Sequence, residues 1–435
     1  MSDAHRKPVF SLKSVVRETG VKPDTLRAWE RRYGLPQPAR TKGGHRLYSQ
    51  RDIEIIKWLL DRQRENLRIK GAVELWRSLE AEGREPLQAR PTSAVSVAPE
   101  MAGQTIADLC QVWVAACLAF DERQAEQVLT QAFALYPPEV VCLDILREGI
   151  AQIGQGWYEG QVTVQQEHFS LALAIRRVET LRVAVPPATR PGRILLACPP
   201  EEGHSFGLLL LTYLLRRRGW EVLYLGANVP LARLEEVVRT TRPSLTISMA
   251  LQLPTAATLL EMALFLRREG VPLAFGGWIF DRLPALRTRI PGHFLGPSLE
   301  LAAQSVEDLL VTPSPAPAVE LPPESHRQAL SHYREHQWLI EADLIKLRPD
   351  LLQQTWSLGA NRGLTRHIAA ALALGDINFM DDSIDWVAGM GRNGHSPAEA
   401  LESYLGAYLQ AAKTHLDERG APIIEWLSGR IDVGN

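Results

Sequence analysis

The feature that most constrains the fold is an alternation of short apolar strands and apolar helices between residues 192 and 312. Strands are predicted at Ile194–Cys198, Glu221–Leu225, Leu245–Met249 and Leu273–Phe275, with helical patterns between them. Each parallel crossover needs a connecting helix, so this alternation favours a parallel sheet with helices on both faces. This part of the chain is therefore expected to form a doubly wound, Rossmann-like α/β domain.

A loop with the chemistry of a cofactor site follows the first of these strands. It reads Glu-Gly-His-Ser-Phe-Gly over residues 202–207. Open α/β sheets bind ligands outside the carboxyl ends of their strands, which is where His204 falls. Its imidazole can coordinate a metal, and the Glu202 carboxylate can hold the other ring N–H and fix the tautomer. Gly207 lets the backbone approach a bulky ligand.

The N-terminal segment has a different charge from the rest of the chain. Residues 1–80 carry 18 Lys and Arg against 10 Asp and Glu, whereas the whole chain has a net charge of −2. A basic segment joined to an acidic body is typical of a nucleic-acid-binding module. Helices predicted over residues 10–20 and 21–33, joined by a short turn, indicate a helix-turn-helix whose second helix enters the major groove.

Within the second helix, Leu26 and Trp29 are expected to face inward, which leaves Arg27, Glu30 and Arg31 for base edges and phosphates. The basic, glycine-tipped residues 42–48 suit a wing that grips the DNA backbone. A further helix is predicted from residue 52 to residue 60.

The string LRAWERRYGLPQPARTKGGHRLYSQRDI, residues 26–53, closely resembles the MerR family of winged-helix transcription regulators. The resemblance extends over about seventy residues and implies a double-stranded operator DNA as partner. It also implies a set of DNA contacts from the recognition helix and the wing: Arg27, Arg31, Arg32, Tyr33, His45, Arg46 and Tyr48.

Beyond the basic segment the chain is expected to be multidomain, as its length suggests. Helical patterns before the α/β domain fit a four-helix bundle, and proline-bearing stretches mark two linkers. The predicted order is a winged helix-turn-helix domain (1–79), a linker (80–104), the bundle (105–187), the α/β domain (188–312), a Pro-rich linker (313–323) and a C-terminal all-α domain (324–435).

Further features accompany the cofactor loop. The predicted bundle carries Trp157, followed after nine further residues by the pair Glu167 and His168. In the α/β domain Ser248 is placed at the end of one strand, and the pair 276–277, Gly-Gly, ends the next. In this order they resemble the cobalamin-binding module of methionine synthase. They resemble more closely the light-sensing, cobalamin-dependent MerR-type repressors, in which Glu also replaces the more usual Asp at the position of Glu202.

The resemblance implies that cobalamin is bound base-off, with His204 as the lower axial ligand to cobalt and Glu202 on the ring's other nitrogen. The slot for the dimethylbenzimidazole tail would be lined by Ser248, Gly276 and Gly277.

The resemblance also implies that Trp157, Glu167 and His168 cover the upper face, where an adenosyl group sits. In those photoreceptors adenosylcobalamin supports a DNA-binding homo-oligomer. Light breaks the cobalt–carbon bond, and the oligomer then dissociates. One departure is Tyr158, which stands where well-known members have a His that captures cobalt after photolysis. His168 is a possible replacement.

The helical tail after residue 324 is aromatic and contains no cysteine. A cobalamin module followed by a helical tail resembles the photocobilins, which implies a non-covalent bilin such as biliverdin as second chromophore. The alternative is a dimerisation or packing domain.

Two other functions stay open on the sequence: a cobalamin- or redox-sensing regulator without photochemistry, and a corrinoid methyl carrier. The MerR-like segment argues against the methyl carrier, and no substrate barrel accompanies the module, so an enzyme is not expected. Without an apolar run of membrane-spanning length or a signal peptide, the sequence predicts a cytoplasmic protein without a membrane partner.

Overall fold

The computed structural model describes residues 8–19, 21–41, 44, 46–64, 69–70, 72–73, 76–77, 105–312, 314–348, 355–381 and 398–432. The chain forms two compact units, Met1–Ala102 and Gly103–Asn435. Among the helices of the described ranges, none is long and apolar enough to span a bilayer.

The first unit is a small helical domain with a three-stranded antiparallel sheet of order β1-β3-β2. Pro23 opens α2, and Gly34 closes it in the left-handed region at φ 68°. Leu26 and Trp29 are buried as predicted. The first predicted helix starts two residues late, because Phe10 and Ser11 pair with β3. The elements are β1 (Phe10–Ser11), α1 (Leu12–Thr19), α2 (Pro23–Tyr33), β2 (Ala39–Arg40), β3 (Arg46–Tyr48) and α3 (Gln50–Arg64).

The second unit begins with four helical segments, as expected. Two of them start with capping boxes, in which Thr105 pairs with Asp108 and Thr163 with Gln166. The third segment is continuous but contains a π-helical stretch at Cys142–Arg147, a local widening that often lies at functional sites. The helices are α4 (Ile106–Leu118), α5 (Glu122–Leu135), α6 (Pro138–Val141), which the π-stretch joins to α7 (Glu148–Tyr158), and α8 (Val164–Val183).

A five-stranded parallel sheet follows, in the order β5-β4-β6-β7-β8. The four predicted strands are present with ends shifted by at most one residue, whereas the two-residue β8 has too little sequence to predict. The strand order reverses between β4 and β6, which makes the loops after these strands the topological switch point. The elements are β4 (Arg193–Ala197), α9 (Phe206–Arg217), β5 (Glu221–Gly226), α10 (Leu234–Thr241), β6 (Leu245–Met249), α11 (Leu253–Arg268), β7 (Leu273–Gly276), α12 (Ile279–Arg282), β8 (His293–Phe294) and α13 (Leu299–Val311).

The C-terminal segment is helical and shares a core with the α/β domain. Leu259 and Met262 of α11 belong to the same buried cluster as Ile368 and Leu372 of the tail. Tyr333 and Tyr408 form a buried hydrogen bond of 2.5 Å between their hydroxyl groups. The tail therefore packs as part of the second unit. Its helices are α14 (Glu324–Leu347), α15 (Thr355–Leu374), α16 (Ala398–His415) and α17 (Ala421–Asp432).

Candidate functional site

The loop between β4 and α9 holds a buried carboxylate under an exposed imidazole. The Glu202 side chain is 1% exposed and that of His204 is 58% exposed. Oε1 of Glu202 accepts hydrogen bonds from the His204 ring Nδ1 at 2.7 Å and from the His204 backbone N–H at 2.9 Å. Oε2 accepts from the Leu251 backbone N–H at 2.9 Å and from the Thr255 hydroxyl at 2.7 Å. The carboxylate thus ties the His204 loop to the start of α11.

These contacts decide the charge of the pair. Burial by itself would raise the pKa of Glu202, but the four hydrogen bonds to its carboxylate bring that pKa below the usual range. The hydrogen bond to Glu202 raises the pKa of His204 against the opposing effect of burial. Because Nδ1 donates to an ionised carboxylate, Nε2 is the nitrogen left to bind a metal.

His204 stands at the mouth of a cleft of about 460 Å³ between the bundle and the carboxyl ends of the strands. The cleft lies at the switch point, where ligands of open α/β sheets bind. It brings together most of the cofactor residues predicted from the sequence: Glu167, His204, Gly207, Ser248, Gly276 and Gly277.

The floor of the cleft is suited to a ligand that enters deeply. The hydroxyl oxygen of Ser248 is buried and has no hydrogen-bond partner among the described residues. Gly276 has open space where a Cβ would lie, whereas a Cβ on Gly277 would come 2.1 Å from the backbone oxygen of Ala250. Gly277 also has a φ of 115°, which favours glycine.

These observations fit a corrinoid. An imidazole backed by a carboxylate is a common metal-ligand arrangement. The orphaned Ser248 hydroxyl offers a hydrogen bond to a polar group in the slot, since an unpartnered buried hydroxyl is costly. His204 would supply the imidazole that binds cobalt, Glu202 would hold the other nitrogen of that ring, and Ser248, Gly276 and Gly277 would line the slot for the nucleotide tail.

The three residues expected over the upper face separate in the structure. Glu167 lines the cleft, but Trp157 and His168 do not. Trp157 is 39% exposed, and the His168 side chain is 74% exposed with Nε2 3.6 Å from Glu167 Oε2. Consecutive residues on a helix point about 100° apart, so only one of the pair 167–168 can face the sheet. Of these three residues only Glu167 lines the cleft in this structure, and the roles of Trp157 and His168 at the upper face stay predictions.

Several lining residues were missed. Leu171 and Ile175 follow Glu167 on the same face of α8, each four residues after the last, and this helical spacing is visible in the sequence. Arg147 comes from the π-stretch, which has no sequence signature. The remaining anchor, Thr255, lies 53 residues from Glu202 and is identified only by the tertiary contact.

In the first unit, α2 presents a basic surface. Arg27, Arg31 and Arg32 are exposed along it and Tyr33 is partly buried. His45 lies outside the described residues. The exposed positions on α2 are compatible with the DNA contacts predicted from the sequence, which stay predictions.

Two assignments in the first unit are revised. Glu30 was expected to face DNA, yet its Oε2 accepts a hydrogen bond from the Arg46 guanidinium at 2.6 Å, which joins α2 to the wing. Tyr48, expected to contact DNA from the wing, is 1% exposed. It pairs with Phe10 in the register of β1 and β3, so its ring lies in the core of the domain. Arg46 keeps 25% of its side chain exposed while its guanidinium is paired with Glu30.

Comparisons with known families and proteins agree with this geometry. Residues 10–79 match the model of the MerR HTH family regulatory protein, and residues 109–182 and 192–298 each match a B12 binding domain. Among solved structures, a monomethylamine corrinoid protein of Methanosarcina barkeri is 18% identical, with 46% of this chain and 96% of that chain covered and a TM-score of 0.36.

Two repressors of Myxococcus xanthus are similar over most of their length. The HTH-type transcriptional repressor CarH is 32% identical over 264 residues, which are 60% of this chain and 84% of CarH. The HTH-type transcriptional repressor CarA is 30% identical over 234 residues, 53% of this chain and 73% of CarA. With a MerR segment followed by two B12 binding domains, the chain belongs to the CarH and CarA family of MerR-type, cobalamin-binding transcriptional repressors.

Proposed function

We propose that this regulator senses light through adenosylcobalamin and binds double-stranded operator DNA as a homo-oligomer in the dark. The observation that carries the proposal is the His204–Glu202 pair at the mouth of a cleft lined by both the bundle and the sheet. Bound adenosylcobalamin supplies a cobalt–carbon bond that visible light breaks.

The protein's part is to hold the ligand between two layers. Glu202 holds the proton of His204 on Nδ1, which leaves the lone pair of Nε2 free to bind a metal. Glu167, Leu171 and Ile175 bring the bundle to the opposite wall. A ligand that contacts both walls would stabilise their closed arrangement, and losing the part that faces the bundle would remove its contacts with Glu167, Leu171 and Ile175. The bundle is therefore the element whose position responds to light, and an oligomer interface on it would respond as well.

The test uses the full chain loaded with adenosylcobalamin in the dark. Size-exclusion chromatography with light scattering and an operator-binding assay are run before and after green illumination, with hydroxocobalamin-loaded protein as the control. We expect a smaller assembly and weaker DNA binding only in the illuminated adenosyl sample. An unchanged size and affinity after complete photolysis would favour the alternative, a cobalamin or redox sensor without photochemistry.

We also propose a bilin such as biliverdin, held without a covalent bond, in the C-terminal domain. Its support is a cleft of about 1020 Å³ lined by Arg419, Arg430 and the indole of Trp426, in which a propionate would have to replace Asp417 or Asp381 as the partner of a guanidinium group. Guanidinium groups match carboxylates, which bilins carry as propionates. Purification with biliverdin should give a visible absorption band that Arg430→Ala weakens. If no band survives gel filtration, the domain serves packing or dimerisation.

A further inference from the structure

A group of metal-ligand side chains lies on α14, far along the chain from the cobalamin loop. His332, Glu335 and His336 are three and four residues apart, so they share one face of the helix. One ligand atom from each of the three lies within 4.8 Å of the other two. The rings of the two histidines are 4.3 Å apart between centroids. This spacing is compatible with a single ion between them.

Each histidine is held by a partner on one ring nitrogen only. Nδ1 of His336 donates to the backbone oxygen of His332 at 2.8 Å, which leaves its Nε2 available. His332 is 3% exposed, and its Nε2 accepts a hydrogen bond from the Asp417 backbone N–H at 3.1 Å and lies 3.2 Å from Oδ1 of the same residue. Nδ1 of His332 is buried without a hydrogen-bond partner among the described residues.

An orphaned imidazole nitrogen in a buried position is costly unless something occupies it. To free Nδ1 of His332 for a metal, the ring proton moves to Nε2, where Oδ1 of Asp417 at 3.2 Å can accept it in place of the hydrogen bond that Nε2 otherwise accepts from the Asp417 backbone N–H. Carboxylates and backbone carbonyls are the usual outer partners of metal-bound histidines, and here Asp417 and the His332 carbonyl stand in those places. The nearby positive charge of Arg419 is paired with Asp417 at 2.7 Å, which reduces its repulsion of a cation.

We propose that His332, Glu335 and His336 bind one divalent transition metal of the zinc class. Two imidazoles and a carboxylate form a ligand set that zinc accepts, with a fourth position open to water. Imidazole ligands favour zinc and its neighbours over magnesium and calcium. Because Asp417 is the N-cap of the 3₁₀ turn at Glu418–Gly420, the metal would stabilise the contact between α14 and that turn.

The experiment measures zinc binding to the full, tag-free chain after treatment with a chelator. Titration with zinc by calorimetry and elemental analysis after gel filtration should give about one zinc per chain. Because His332 is buried, the test relies on Glu335→Gln and His336→Gln, which change accessible ligands. Each should weaken zinc binding at least tenfold, and Asp417→Asn about 10- to 100-fold through loss of the outer partner.

Matched controls are Glu402→Gln, an exposed carboxylate on α16, and His326→Gln, a histidine on α14 outside the cluster. Both should bind zinc like the unaltered chain. Circular dichroism must show the same helix content in every variant. The proposal is overturned if the unaltered chain retains no zinc, or if the cluster variants and the controls bind zinc equally. Cobalamin loading is an independent readout and should not change in any of these variants.

Discussion

The hydroxyl of Thr255 is the most informative group to remove, because it holds Glu202 beneath His204 although Thr255 does not line the cleft. Thr255→Val keeps the shape of the side chain and deletes the 2.7 Å hydrogen bond to Oε2 of Glu202. Oε2 then keeps only the Leu251 N–H among these contacts. Thr255 is 3% exposed, so water does not replace the lost donor.

The magnitude follows from the charge of the acceptor. A hydrogen bond to a buried carboxylate contributes about 1.5–3 kcal/mol to the free energy of unfolding. The same hydroxyl also accepts from the Gln252 N–H at 3.2 Å at the start of α11, and the loss of a helix cap costs about 1 kcal/mol. A looser Glu202 orients His204 less well, so we expect cobalamin affinity to fall about 10- to 100-fold.

The assay compares urea unfolding of the cobalamin-free chain with cobalamin titration followed by absorbance. The matched control is Thr212→Val, since the buried Thr212 hydroxyl bonds only the Leu208 oxygen of its own helix, at 2.9 Å. This control should lose stability and keep cobalamin affinity. If both variants bound cobalamin like the unaltered chain, or if both lost affinity equally, Glu202 would not transmit the position of α11 to His204.

Three further predictions address other parts of the molecule. His204→Ala should abolish retention of cobalamin through gel filtration, seen in the visible spectrum, whereas His168→Ala, outside the cleft, should retain it; equal retention would refute the ligand assignment. Arg31→Ala should weaken operator binding, lower the salt slope by about one and leave the cofactor spectrum unchanged; an unaltered slope would place this side chain away from phosphates. Gly277→Ala should destabilise the chain by at least about 1–3 kcal/mol, since its φ of 115° and a Cβ 2.1 Å from the Ala250 oxygen both oppose it, and an unchanged urea midpoint would contradict that geometry.

The cofactor site shows which parts of a site a sequence can predict. His204, Ser248 and Gly276 each follow or end a strand, and parallel strands bring their carboxyl ends to one edge of the sheet, so the strand pattern was enough to assemble them. Thr255 and the Leu251 N–H depend on how α11 is seated behind the loop. That seating is set by side-chain packing over long sequence separations, which no local pattern encodes.

The wing shows a residue whose burial the sequence did not predict. The resemblance to MerR regulators implied DNA contacts for His45, Arg46 and Tyr48 of the wing. The short strand β1 was not predicted, and it is β1 that pairs with β3 and encloses the Tyr48 ring. Two residues carry too little pattern to predict a strand, yet their hydrogen bonds decide which face of the wing is buried.

The contacts of α11 connect the tail to the cofactor loop. On one face Thr255 holds Glu202, and Thr258 donates to the backbone oxygen of Pro200 at 2.7 Å. On the other face α11 shares a buried core with α15, whose Arg366 forms an ion pair with Glu201. A displacement of α15 would therefore act on the same loop through both the core and the ion pair. The tail thus lies in direct mechanical contact with the segment that orients His204, and a ligand that rigidified the tail would also restrict that segment.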